Sequence, residues 1–520
     1  MPSLRLAAAA PEVGAALDEL RDEVGIPRDF SPEALAEAEG ARIADLPHED
    51  ATDVPFVTID PPGSEDLDQA VHIARDGAGY VVSYAIASVA SFVVPGGALD
   101  REVHARGMTV YGPAGSFPLH PPVLSAGAAS LLQEQERPAY LWTLRLAADG
   151  RLTDADVVRA RVRSRARLTY EQVQAAHDGG PDLPGTVPAD LPVLLRTVGR
   201  LRQQQEVERG GVSLDIPEQE AVRVDHGYVL RHRATLPVEG WNAQVSLMTG
   251  IAAARMMREA GVGILRTLPP ADPRDVARLR RTAVALGLGW PEDVSYGELL
   301  RTLDSAVPTH AAFLTEATTL LRGAGYLAFG VPDDASGPDR AAVRHAGAAT
   351  SGTAAAAPAS AEDAAPGLDG RVPAEMAHAA IAAEYAHVTA PLRRLVDRYG
   401  LEVCVAHRAG AAVPDWVIDA LPGLPATMAA ASRRAGAFER GAMDAIEALA
   451  LEGHVGEHFG GVVVDVEDES DSAPRRGTVV LKDPAVRARV EGDRLALGES
   501  VTVRLAEVDV PARRVRFTLP

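Results

Sequence analysis

The spacing of apolar residues changes along the chain, and each change predicts a different element. Val13, Ala16, Leu17 and Leu20 recur at helical intervals between Pro11 and Val24, which predicts a helix with one buried stripe. A second short helix is predicted from Ser31-Pro32, a suitable N-cap and first helical residue, to Gly40. From residue 53 to about 240, short apolar or alternating runs between turn residues predict strands, interrupted by a helix from Leu191 to Glu208 that stops at Gly210-Gly211. From 241 to 327 the pattern is helical. Asn242 to Ala260 is apolar, with Trp241, Met248, Met256 and Met257 expected in the core, and Pro273 to Leu286 is basic and amphipathic. Helices are expected again from Pro373 to Gly453, including Pro391 to His407 and Met428 to Leu451.

The remaining residues alternate in β fashion at Val462 to Val466, Thr478 to Leu481, Val501 to Leu505 and Val515 to Leu519. Short strands separated by Gly and Pro suit an OB-type barrel. Strands followed by helices predict an α+β fold. The expected organisation is a small helical region over 1–52, a domain of mixed sheets and helices over 53–455, and a barrel over 456–520. Residues 333–372 are rich in Ala, Gly, Ser, Asp and Pro. Such a segment buries little apolar surface, so it is expected to be a disordered insert outside the fold.

Composition narrows the function classes. The chain has 520 residues, 47% of them hydrophobic, enough for a large core and more than one domain. It has no apolar stretch long enough for a bilayer span and no secretory signal pattern at Met1 to Ala10, so a cytoplasmic location without a membrane partner is expected. The single cysteine, Cys404, excludes an intrachain disulfide framework and lies in an apolar run where a buried, inert thiol is expected. With 72 acidic and 51 basic residues the net charge is −21, which argues against general affinity for duplex nucleic acid. It leaves open a single strand threaded into a channel, where the local field decides.

The densest chemistry lies in Thr58-Ile59-Asp60-Pro61-Pro62-Gly63-Ser64-Glu65-Asp66-Leu67-Asp68-Gln69, at the end of the apolar run Val54 to Ile59. Carboxylates this close repel one another unless solvent or a hard cation offsets the charge, and oxygen ligands suit magnesium or manganese. Asp66 and Asp68 have the same strand parity, and the Pro61-Pro62-Gly63 turn can return Asp60 towards them. An acidic surface turn is the alternative. His72, His387 and His407 are expected to be core or surface histidines rather than metal ligands.

The acidic string resembles the signature of the ribonuclease II (RNB) family of exoribonucleases. Further matches follow in family order: Gly79-Tyr80 through Ile86-Ala87, Leu99-Asp100-Arg101, Arg106 to Tyr111, Leu124-Ser125 to Ser130-Leu131, and Tyr385 to Arg394. The resemblance implies an RNB-type catalytic domain followed by an RNA-binding barrel. It implies a metal-dependent 3′→5′ exoribonuclease releasing 5′-mononucleotides from single-stranded RNA, with Mg2+ as cofactor, Mn2+ possible, and no obligate protein partner. On this resemblance Asp60, Asp66, Asp68 and Gln69 are the metal positions, Asp68 and Arg393 act in cleavage, and Tyr111, Arg393, Arg394 and Glu439 contact RNA.

Several positions depart from the family pattern. Gln69 stands where an aspartate is usual, Ser88 and Ser91 replace an Asp and a His, and Ala243-Gln244 replaces a Glu pair. No second stacking aromatic occurs near Arg209 to Leu214, and nothing in residues 1–52 is long or strand-like enough to be expected to form the cold-shock barrel that relatives often carry. The barrel's only aromatics are Phe459 and Phe517, so a structural cap is the alternative for it. An RNA-binding protein with weak or no catalysis is the alternative function, and a small-molecule phosphohydrolase is a third.

Overall fold

The computed structural model describes residues 10–41, 47, 49–214, 218–224, 227–233, 235–304, 307–331, 376–467, 475–481 and 483–519. The Ala- and Gly-rich segment expected to lie outside the fold, 333–372, falls outside these described residues.

A mixed sheet forms the frame. Its strands are β1 (Glu49–Asp50), β2 (Phe56–Asp60), β3 (Gln69–Asp76), β4 (Gly79–Ala87), β7 (Glu136–Leu146) and β8 (Leu152–Thr169); the hairpin β5 (Val110–Gly112) and β6 (Gly115–Phe117) stands apart. The spatial order is β1-β8-β2-β3-β4-β7. β8 runs parallel to β2 and antiparallel to β7. β2 is buried at Phe56, Val57, Thr58 and Ile59, and only its last residue, Asp60, reaches partial exposure. An apolar strand covered on both faces thus delivers a carboxylate at its C-terminal end.

Three helices back the sheet. Leu191–Glu208 and Leu395–Arg408 both pack on Pro237–Ala260. The contacts are close: a Cβ on Gly199 would stand 2.4 Å from the Trp241 Cβ, and one on Gly250 would stand 2.1 Å from the Tyr385 ring. Trp241, Met248, Met256 and Met257 are buried as expected. Cys404 is also buried, with its thiol pKa pushed up by desolvation.

The two N-terminal helices form where the spacing placed them, as Ala10–Val24 and Pro32–Gly40, the second capped by Ser31. The first lies along Leu424–Leu451, burying Val13, Leu17 and Leu20 in a cluster with Phe438, Ala442 and Ile446. The barrel is closed by five strands, His458–Val466, Arg475–Leu481, Arg487–Gly492, Ser500–Asp509 and Arg514–Thr518, the last lying between the third and fourth. Phe517 is wholly buried and meets Phe459 edge to face, so this ring is core and offers no stacking surface. The fold is the expected α+β type. Among the described residues no helix is long and apolar enough to cross a membrane.

The stretch before Leu395 departs from expectation. Residues 376–394, read as helix, form two short strands and turns, and the helix predicted from Pro391 starts at Leu395. The amides of Ala390 and Leu392 are taken by carboxylates rather than by a helical ladder.

Candidate active site

Four segments meet at the end of β2. The first is the acidic loop itself. After Asp60, the Pro61 to Ser64 turn closes through the Ser64 amide and the Pro61 carbonyl, with Gly63 at φ 86°, a conformation that favours glycine. Ser130, from the Leu124 to Leu131 block, then clamps the loop: its Oγ accepts from the Leu67 amide at 3.0 Å and donates to the Glu65 carbonyl at 2.7 Å.

The second segment is the turn Thr389 to Arg394. It is paired with the third, Gly107 to Thr109, through Thr109 N–H to the Arg393 carbonyl and Leu395 N–H to the Gly107 carbonyl, each 3.0 Å. His120 adds a bond to the Leu392 carbonyl at 3.0 Å. Burial lowers the pKa of His120 to about 4, so the ring is neutral and its Nδ1 carries the proton that this carbonyl accepts. The fourth segment is the β5–β6 hairpin, which carries Tyr111 and is backed by Phe438 against Gly112.

These segments bring together Asp60, Asp66, Asp68, Tyr111 and Arg393. Asp68 is 4% exposed; its Oδ1 accepts from the Leu392 amide at 2.7 Å, and its Oδ2 lies 3.5 Å from Arg393 Nε. Burial raises the pKa of Asp68 to about 8, against the opposing pull of Arg393 and the Leu392 amide. Asp60 is raised to about 6 by the same desolvation, again opposed by Arg393. Its Oδ2 is buried without a hydrogen-bond partner. The Tyr111 hydroxyl donates to Asp66 Oδ2 at 2.9 Å while its side chain stays exposed. The Arg393 side chain is 45% exposed, so the guanidinium is held at one edge and open at the other.

The remaining candidates have other partners. Gln69 donates from Nε2 to the Thr389 carbonyl at 2.6 Å and accepts at Oε1 from the Tyr84 hydroxyl at 2.6 Å. Arg394 turns inward and binds Asp397 with two hydrogen bonds, 2.8 and 2.7 Å, and Asp397 is fully buried. Arg394 thus has a structural partner. Glu439 is exposed on the Leu424–Leu451 helix.

Where the family pattern is broken, the substitutes close on one another. Ser88 and Ser91 share a 2.8 Å hydrogen bond, and Gln244 donates to the buried Glu206 at 2.6 Å. His387 is held neutral by burial and bonds to Tyr326, and His407 faces Glu259. Neither they nor His72 joins a metal-ligand set. Ser130, Asp397 and His120 are site-building residues that the sequence reading passed over. Two of them had a signal: Ser130 lies in the Leu124 to Leu131 block that matches the family, and Asp397 is three residues from Arg394.

The donor type, carboxylate oxygens with one buried oxygen unpartnered, suits a hard divalent cation, although the three side chains are not gathered into a ligand set. In the conformation described, Tyr111 and Arg393 engage two of the three aspartates. Among the described residues no group of three or more His, Cys, Asp or Glu side chains is close enough to hold a metal.

Three aspartates and a half-exposed guanidinium thus meet at the end of a mixed sheet that is followed in the chain by a closed barrel. The chain belongs to the RNB family: the RNB domain matches residues 48–403, and an RNase II-type exonuclease C-terminal S1 domain matches residues 457–519. Ribonuclease R of Escherichia coli is 29% identical over 265 residues, a match covering 49% of this chain and 33% of that protein. Mycoplasma genitalium RNase R in complex with ribose methylated single-stranded RNA is similar in structure, with TM-score 0.80 at 18% identity over 98% of this chain and 78% of that one. Yeast Ssd1, described as a pseudonuclease, is also similar, with TM-score 0.65 at 14% identity over 94% of this chain and 57% of that one.

Proposed function

We propose that the chain is a metal-dependent 3′→5′ exoribonuclease that hydrolyses single-stranded RNA to 5′-mononucleotides. The observation that carries this reading is Arg393 set 3.5 Å from the buried Asp68, with Asp60 within its field and the buried Asp60 Oδ2 unpartnered. Membership of the RNB family supports the substrate class and the direction. Magnesium, or manganese, held through the oxygens of Asp60, Asp66 and Asp68, would supply activation of the attacking water and neutralisation of phosphoryl charge.

The chain's own residues do the rest. The half-exposed guanidinium of Arg393 presents a planar fork for two phosphoryl oxygens. The Leu392 amide holds Asp68 in register with it. Burial pushes the Asp68 carboxyl up against the pull of Arg393, and a divalent cation held beside it would favour its anionic form. The Tyr111 ring is anchored through its hydroxyl and offers a face for base stacking, worth about 1–3 kcal/mol per base.

A second reading, an RNA-binding protein with little turnover, is favoured by one observation: both ends of the Gln69 amide are engaged by the protein. Incubation with 3′- and 5′-labelled oligoribonucleotides in magnesium, manganese or chelator separates the two. Release of mononucleotide from the 3′ end, dependent on metal, supports the first. Retained binding without metal-dependent release supports the second.

A further inference from the structure

Gln69 sits where a carboxylate is usual, yet its amide is committed at both ends. Nε2 donates to the Thr389 carbonyl and Oε1 accepts from Tyr84, whose hydroxyl also contacts Ser246 Oγ at 2.8 Å. Tyr84 is 1% exposed, so the orientation of the amide is fixed from inside the sheet. Thr389 opens the turn that ends in Arg393. The rest of that turn is held by Asp397 on the Ala390 amide at 2.6 Å, by Asp68 on the Leu392 amide, and by His120 on the Leu392 carbonyl. Gln69 supplies the tether at the near end, joining β3 to the arginine turn. A carboxylate has no N–H to give and would set an oxygen against the Thr389 carbonyl.

We propose that Gln69 is a positioning residue: its amide fixes the Thr389 carbonyl and so sets where the Arg393 guanidinium stands over Asp68, and it gives no ligand to a metal. The inference rests on the proposed role of Arg393 at phosphate, and its central test needs no turnover.

The test uses the full chain with Gln69→Glu and Gln69→Met, each alone and with Arg393→Ala. Affinity for a 5′-labelled oligoadenylate is measured by anisotropy in chelator, and magnesium binding is measured by calorimetry without RNA. Each single substitution is expected to weaken RNA binding by roughly tenfold, and to have no effect beyond about twofold once Arg393 is alanine, the non-additivity of residues acting through one contact. Magnesium affinity should stay within about twofold of the parent for Gln69→Glu, whereas an added carboxylate ligand would tighten it.

Tighter magnesium binding by Gln69→Glu would overturn the proposal, as would equal losses with and without Arg393. Should the Gln69 variants fail to fold, Tyr84→Phe, which frees one end of the amide, must show a smaller loss that also vanishes with Arg393→Ala. A parent that binds RNA without cleaving it would sink the exoribonuclease reading and leave this test intact. A parent that binds no RNA overturns both.

Discussion

Two buried carboxylate clusters with similar titration do opposite things. At the sheet, Asp60 and Asp68 are raised to about 6 and 8, and Asp60 has an oxygen with no partner. At the barrel junction, Glu447 is raised to about 7, also by burial. There, however, Glu447 Oε1 accepts from Gln219 Nε2 at 2.6 Å and from the Arg487 amide at 2.8 Å, tying the Leu424–Leu451 helix to the Glu218–Val224 strand and the barrel. A displaced pKa by itself therefore does not mark a functional group. Completed bonding marks the joint, and an open oxygen beside an exposed guanidinium marks the site.

The sharpest way to break this contrast is Asp68→Asn. The amide oxygen keeps the Leu392 bond, so the fold and RNA affinity should stay within a few-fold of the parent, while turnover falls by about 10³ or more. Unchanged turnover of labelled RNA would remove Asp68 from the chemistry.

Arg393 and Arg394 test the same division between adjacent residues. Arg394→Ala strands Asp397 in the core and should cost about 3–5 kcal/mol in urea unfolding. Arg393→Lys should leave unfolding unchanged and lower turnover by about 10². Equal stability losses for the two would erase the distinction.

The smallest expected effect is at the joint. The folded carboxyl of Glu447 titrates at about 7 against an ordinary 4.5. The folded protein thus binds more protons than the unfolded chain between those values, and stability falls as pH rises through that window. Glu447→Gln keeps an acceptor for both bonds. It should flatten this slope and add on the order of 1–2 kcal/mol near pH 8 in denaturant titrations, with turnover unaffected. A slope that persists in the variant assigns it to another group.

What was legible in the sequence was local. The strand ending at Asp60, the Ser31 cap and the alternating strands of the barrel depend on near neighbours and form as expected. The site's detailed wiring is not local: Gln69 meets Thr389 across 320 residues and Tyr84 across 15. A reading by position assigned that amide to a metal, because nothing in the string Asp68-Gln69-Ala70 names its partners. The late start of the Leu395 helix has in part the same cause, since the carboxylate that takes the Leu392 amide belongs to Asp68, 324 residues away.

The packing of Ala10–Val24 on Leu424–Leu451 also orders events in time. The first helix leaves the ribosome about four hundred residues before its partner, a wait of roughly 20–80 s at ordinary elongation rates. Throughout that interval Val13, Leu17 and Leu20 lack the Leu424–Leu451 surface that covers them in the folded protein. Nascent chains stalled before Leu424 should therefore recruit holdase chaperones through this stripe, and chains released after Leu451 should let them go.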